Sequence, residues 1–173
     1  LVDSVGPRAG LAATLVQQGM RRAESDDLEG GFASVNEALQ IYMELGKTDY
    51  ARYEPQIANC LANMSIMLAN LGRLEQARNF GELAVAHQRA LAKANPSRHN
   101  TALGHALGLL SNWHRSAGEL IQSLDTAHEA LAVFALARPD QPDVQAFRAD
   151  TLDGVAHALH RLAQEATGDV LVY

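Results

Sequence analysis

The sequence predicts an all-α protein of stacked helix hairpins, and three observations carry that prediction. The first is a step of 46 residues: Gly72 and Gly118 lie one step apart, and Leu15, Leu61 and Leu107 keep the same interval. So do Leu28, Leu74 and Leu120, then Ala38, Ala84 and Ala130, and then Gly19, Ser65 and Ser111, which are small in every copy. A period in this range marks a unit that cannot bury its apolar face alone and must stack on its copies. The second observation is that apolar residues recur at helical spacing along almost the whole chain. The third is that no segment shows the sustained alternation or turn-bounded Val/Ile run that makes a strand.

About seven helices follow in order. From Arg8 to about Glu24, Leu11, Leu15, Val16 and Met20 share one face. Asp26 and Asp27 offer N-cap chemistry for a second helix over 28–46, which carries Val35, Leu39, Tyr42 and Leu45. A third runs from about Ala51 to Leu71 with Ile57, Leu61, Met64 and Leu68 on one side. Gly72 breaks it, and Leu74 to Ala94 is the fourth. Asn95-Pro96 is a stop, because the residue before a proline disfavours the helical region. Helices five and six, about 98–117 and 119–138, repeat this pair around Gly118. Pro139 and Pro142 bracket the next connection, and a seventh helix spans about Val144 to Thr167. The repeats are thus about 8–46, 51–94, 98–138 and a partial 143–173, forming one array over 1–173.

Composition narrows the function classes. Hydrophobic residues make up 47% and charged residues 20% of 173, which is the balance of a folded chain. A net charge of −6 without any Lys/Arg run argues against a phosphate-binding surface, so no nucleic-acid partner is expected. Cys60 is the only cysteine, so no internal disulfide can form. Nothing approaches the roughly 18–20 apolar residues of a membrane span, and no signal peptide is visible. These features fit a cytoplasmic location. The start at Leu1 and the apolar end Val170-Leu171-Val172-Tyr173 are read as those of a segment from a longer protein, or of a chain trimmed of disordered ends.

With the elements placed, residues 61–84 resemble the tetratricopeptide repeat, a helix–turn–helix unit of about 34 residues in its commonest form. The matching places are Leu61, Met64-Ser65, Gly72, Leu74, Ala77 and Ala84. The next copy gives Leu107, Leu110-Ser111, Gly118, Leu120, Ser123 and Ala130. The first gives Leu15, Gln18-Gly19, Leu28, Gly31 and Ala38, with Asp26 where the turn glycine should be. The longer step is similar to the extended repeats of the kinesin-light-chain type. The fourth copy departs from the pattern: the step puts Gln164 at the glycine, and Gly168 offers an alternative four residues on. The resemblance implies a right-handed superhelical solenoid of antiparallel helix hairpins. The alternative is a non-repeat helical bundle with an alanine-rich seam.

The resemblance also implies that the first helix of each pair lines a concave groove that binds a protein or peptide partner. Carried over, the groove positions of the second copy are Asn59, Ala62, Asn63, Ile66 and Asn70, and those of the third are His105, Gly108, Leu109, Asn112 and Arg115. The first copy contributes Val16, Gln17 and Met20, and the fourth Thr151, Val155, Ala158 and Arg161. Asn59 and Asn63 are i, i+4 neighbours, and each amide offers a donor and an acceptor to an extended peptide backbone. Gly104 and Gly108 either leave room for a ligand or permit tight stacking between repeats. Arg115 and Arg161 suit a ligand carboxylate, but lysine is absent from every groove position, which disfavours a clamp for C-terminal carboxylates.

No residue pattern points to catalysis or to a cofactor. Gly46-Lys47-Thr48 ends like a phosphate loop, but Ile41 occupies the place of its first glycine. His157 and His160 are i, i+3 without an evident third ligand, so no metal is expected. Asn63-Met64-Ser65 is a sequon within a helix. The leading expectation is a non-enzymatic interaction module. Its rivals are a sensor arm that controls an attached effector domain, and a structural array that self-associates through its terminal repeats.

Overall fold

The structure, a computed structural model, describes residues 5–137 and 142–170. Among them are seven helices: α1 (Val5–Glu24), α2 (Leu28–Gly46), α3 (Tyr50–Asn70), α4 (Leu74–Ala94), α5 (Pro96–Ser116), α6 (Leu120–Leu136) and α7 (Pro142–Val170). They fall into two compact units, α1–α4 and α5–α7. No helix among the described residues is long and apolar enough to cross a membrane.

Within each unit the helices pack as the periodicity requires. In the first, α1 pairs with α2 and α3 with α4, while α2 also packs on α3 and α1 touches α3. In the second, α5 pairs with α6, and α7 lies against both. The core of the first unit holds Val35, Leu39, Tyr42, Ile57, Leu61 and Met64. That of the second is built on Leu103, Leu107, Leu110, Ala127, Ala130 and Phe134.

The turns repeat with the same chemistry. Gly72 and Gly118 have φ of 76° and 84°, and Asp26, one step earlier, has φ 66°. At each, two hydrogen bonds close the preceding helix. Arg73 N donates to Leu68 O and Gly72 N to Ala69 O, and the same pair recurs from Glu119 N to His114 O and from Gly118 N to Arg115 O. In the first turn Asp27 N donates to Arg22 O and Asp26 N to Ala23 O. This is the left-handed helix end that glycine adopts at little cost and aspartate tolerates. Asp27 then caps α2, its carboxylate accepting from Gly30 N at 3.0 Å.

The small registers are where paired helices cross. A Cβ on Gly19 would stand 2.8 Å from the carbonyl oxygen of Gly31, and one on Gly31 2.8 Å from that of Gly19. One step on, Ser65 is buried and returns its hydroxyl to Ala62 O at 2.8 Å, with Ala77 fully buried on α4. Two steps on, Ser111 Oγ donates to Ser123 O at 2.8 Å, so the third crossing carries its own hydrogen bond.

The boundaries differ from expectation at identifiable places. α5 begins at Pro96, not near residue 98, because proline suits the first turn of a helix, where its missing N–H has no partner to lose. α1 begins at Val5, ahead of Arg8, and α6 closes at Leu136. α7 runs from Pro142 to Val170, continuing through both Gln164 and Gly168, so neither acts as a turn glycine. Pro139 and the apolar residues Leu171, Val172 and Tyr173 lie outside the described residues.

Candidate functional site

The second unit gathers the groove residues of its copies around one recess. α5 presents His105, Gly108, Leu109 and Asn112, and α7 answers with Phe147, Asp150 and Thr151, bounding a cavity of about 50 Å³ that opens to solvent. Helical spacing explains the α5 set: 105, 108, 109 and 112 advance by three or four residues and share one face. On α7 the same rule aligns Phe147 and Thr151 with the fully buried Val144 and Ala158.

His105 and Phe147 form one wall, their rings stacked with centroids 4.0 Å apart and planes 25° from parallel. Phe134 of α6 supports that wall, 6.3 Å from Phe147 and near-parallel to it. The floor is Gly108, where a Cβ would lie 2.9 Å from Thr151 Oγ1. Asn112 reaches over Gly154, with its Oδ1 3.1 Å from where a Cβ would sit. Gly104 makes way for a ring, since an added Cβ would meet Phe134 at 2.5 Å. Gly104 therefore serves packing inside the unit, whereas Gly108 both lets α7 approach and lines the recess.

Burial holds the His105 imidazole below its ordinary pKa, and the nearby Asp150 carboxylate opposes that shift in part. The sign follows from linkage. The unfolded chain takes up this proton at a higher pH than the folded one, so stability is lost as pH falls through the ordinary value of 6.5. His105→Gln is expected to flatten the decline in urea midpoint between about pH 8 and about pH 5.5. Parallel profiles for the two proteins would reject this assignment.

The remaining predicted site residues lie elsewhere. Arg115 is half-buried further along α5, and its carbonyl accepts from Arg161 Nη1 at 3.3 Å. In the first unit, Gln17 is exposed on α1, while on α3 Asn59 and Asn70 are exposed and Asn63 and Ile66 half-buried. Asn59 Oδ1 stands 3.5 Å from Gln88 Nε2. Sequence reasoning missed Phe147 and Asp150; the 46-residue step carries the α5 positions onto Thr151 and Val155 and passes over both.

Groups with chemical potential are otherwise occupied. Burial pushes the Cys60 thiol up to about 12, far from a reactive thiolate. His157 Nδ1 lies 2.9 Å from Asp153 O, and His160 Nε2 lies 2.9 Å from Gln164 Nε2. Among the described residues no three His, Cys, Asp or Glu side chains converge as a metal site would require.

A solved structure titled as the first TPR of Spaghetti (RPAP3) bound to the HSP90 peptide SRMEEVD is similar to this chain. The likeness covers 86% of this chain and 95% of that one, with a TM-score of 0.50 and 14% identity. The fold is that of the tetratricopeptide repeat. No family model and no curated protein matches the sequence. In tetratricopeptide terms, α1, α3, α5 and α7 are first helices and α2, α4 and α6 are second helices. The recess therefore lies between first helices of adjacent repeats, the position the sequence resemblance assigned to a partner.

Proposed function

We propose that this chain is a protein-interaction module that binds an extended peptide segment along the α5–α7 face. The observation that carries the reading is the recess that brings His105, Leu109 and Asn112 together with Phe147 and Thr151. Its walls are held by packing that exists before any ligand arrives, so little ordering free energy is lost on binding. The similar solved structure is titled as bound to a peptide, which supports this class of partner. We read the module as non-enzymatic, and we extend the reading to Gln17, Asn59, Asn63, Ile66 and Asn70 of the first unit as a second contact face. Arg115 would contact the segment beyond Asn112.

A random nine-residue peptide library displayed on phage, selected against the purified chain, tests the reading. Selected peptides are expected to lose about three- to tenfold in affinity for Asn112→Ala, the worth of one net hydrogen bond. The Asn59→Ala/Asn63→Ala variant reports whether the first unit contributes. Failure to select any peptide, or peptides indifferent to Asn112→Ala, would remove the site from this face.

A further inference from the structure

The recess has a chemistry of its own, and it is not that of a carboxylate receptor. We propose that it takes the positively charged side chain of a lysine or arginine in the bound segment, with Asp150 as its counter-ion. The inference rests on the peptide-binding reading and adds the identity of the side chain that enters.

Four observations carry it. First, a cavity of about 50 Å³ open at its mouth has room for about four waters, enough for the end of one side chain and not for a helix. Second, the walls suit an aliphatic stem: Leu109, the Phe147 ring and the bare backbone of Gly108 line it. Long basic side chains bury their methylenes along such surfaces while the charged head stays at the wet rim.

Third, the one charged side chain lining the recess is an acceptor, Asp150. Asp150 is exposed, and no cation among the described residues stands within ion-pair distance of it. Thr151 spends its hydroxyl hydrogen on Phe147 O at 2.8 Å, leaving lone pairs on Oγ1. Asn112 adds an amide, which can accept as well as donate. An incoming carboxylate would meet Asp150 as a like charge.

Fourth, none of Arg115, Arg148 and Arg161 lines the recess. Arg148 is two positions from Asp150, about 200° around α7. Arg115 lies about one turn past Asn112, and Arg161 extends to the Arg115 carbonyl. Burial disfavours the charged form of His105, which stacks on Phe147. A chain of net charge −6 also steers basic segments toward it over a longer range.

The phage-selected peptides supply the test, run at about 0.15 M salt to limit non-specific attraction by the acidic chain. Aligned peptides are expected to share one Lys or Arg position. Replacing that residue by norleucine, which keeps the stem and removes the charge, should weaken binding about two- to fivefold by calorimetry. Asp150→Asn should give a similar loss and abolish the difference between the lysine and norleucine peptides, while Asp150→Glu retains it. Asp150 is exposed, so these variants are expected to keep native helicity, checked by circular dichroism. Peptides that bind and respond to Asn112→Ala, but lack a basic position or keep their preference in Asp150→Asn, would overturn the cation assignment and leave the groove standing. Selection of no peptide at all would overturn both.

Discussion

Replacing Phe134 with alanine is expected to cost the α5–α7 unit about 3–5 kcal/mol, the range for a fully buried aromatic ring cut back to a methyl group. Phe134 is 0% exposed on α6. Its ring fills the hollow over Gly104 of α5 and lies near-parallel to Phe147 of α7, so one side chain ties three helices together. Small domains are stable by only about 5–15 kcal/mol, so such a loss threatens the docking of α7 as well as the α5–α6 hairpin. Urea denaturation followed by circular dichroism measures it, and a loss under about 1 kcal/mol would mean that the ring is not a keystone. The neighbouring change, Gly104→Ala, should cost about 1–3 kcal/mol by overpacking. Adding Phe134→Leu should recover part of that loss, because the shorter side chain yields the space that the new methyl group takes. Since Phe147 is both a wall of the recess and a neighbour of Phe134, peptide binding by Phe134→Ala should fall together with stability.

What is legible in the sequence, and what stays dark, follows from the kind of constraint involved. A periodic chain repeats its local demands, so 26, 72 and 118 read as turns, and all three adopt positive φ. The registers 19, 65 and 111 read as crossing points, because only small residues let two helix backbones approach. The start of α5 is ambiguous in sequence because Asn95-Pro96 signals the end of one helix and, equally, the first turn of the next. The recess is half visible. His105, Leu109 and Asn112 follow from helical phase, whereas their partners depend on how far α7 is displaced along its axis. Spacing says which residues share a face; it does not say which turn of a neighbouring helix they meet. On the step, His105 corresponds to Thr151, but its ring stacks on Phe147, one turn earlier. Asp150 is dark for the same reason, since it corresponds to the buried Gly104 and carries no repeat signal. The purpose of Gly104 and Gly108 cannot be chosen from sequence, because ligand room and helix contact leave the same residue.

The crossing of α1 and α2 offers a test in which one substitution has opposite signs at two sites on one helix. Gly10 and Gly19 both lie within α1. Nothing stands within 4 Å of a Cβ at Gly10, so Gly10→Ala should stabilise the first unit by up to about 1 kcal/mol, the gain in helix propensity alone. At Gly19 the same methyl group would lie 2.6 Å from Val35 Cγ2 and 2.8 Å from Gly31 O. Val35 is 0% exposed and has only one favoured rotamer in a helix, and the carbonyl oxygen belongs to the α2 backbone, so neither can step aside. The helices must part, and tight interiors resist that at a cost of about 1–3 kcal/mol, which outweighs the propensity gain. Gly19→Ala should therefore lower the thermal midpoint while Gly10→Ala raises it. If both substitutions stabilise, α1 and α2 are not in backbone contact, and the equivalence of Gly19 with Ser65 and Ser111 fails with it. The third crossing shows why the position must be small and need not be glycine: there Ser111 reaches Ser123 O through a hydroxyl, exchanging backbone contact for a buried hydrogen bond. A serine at position 19 has no such geometry available while the Gly31 carbonyl stands 2.8 Å from its Cβ, so Gly19→Ser should fall with Gly19→Ala rather than rescue it.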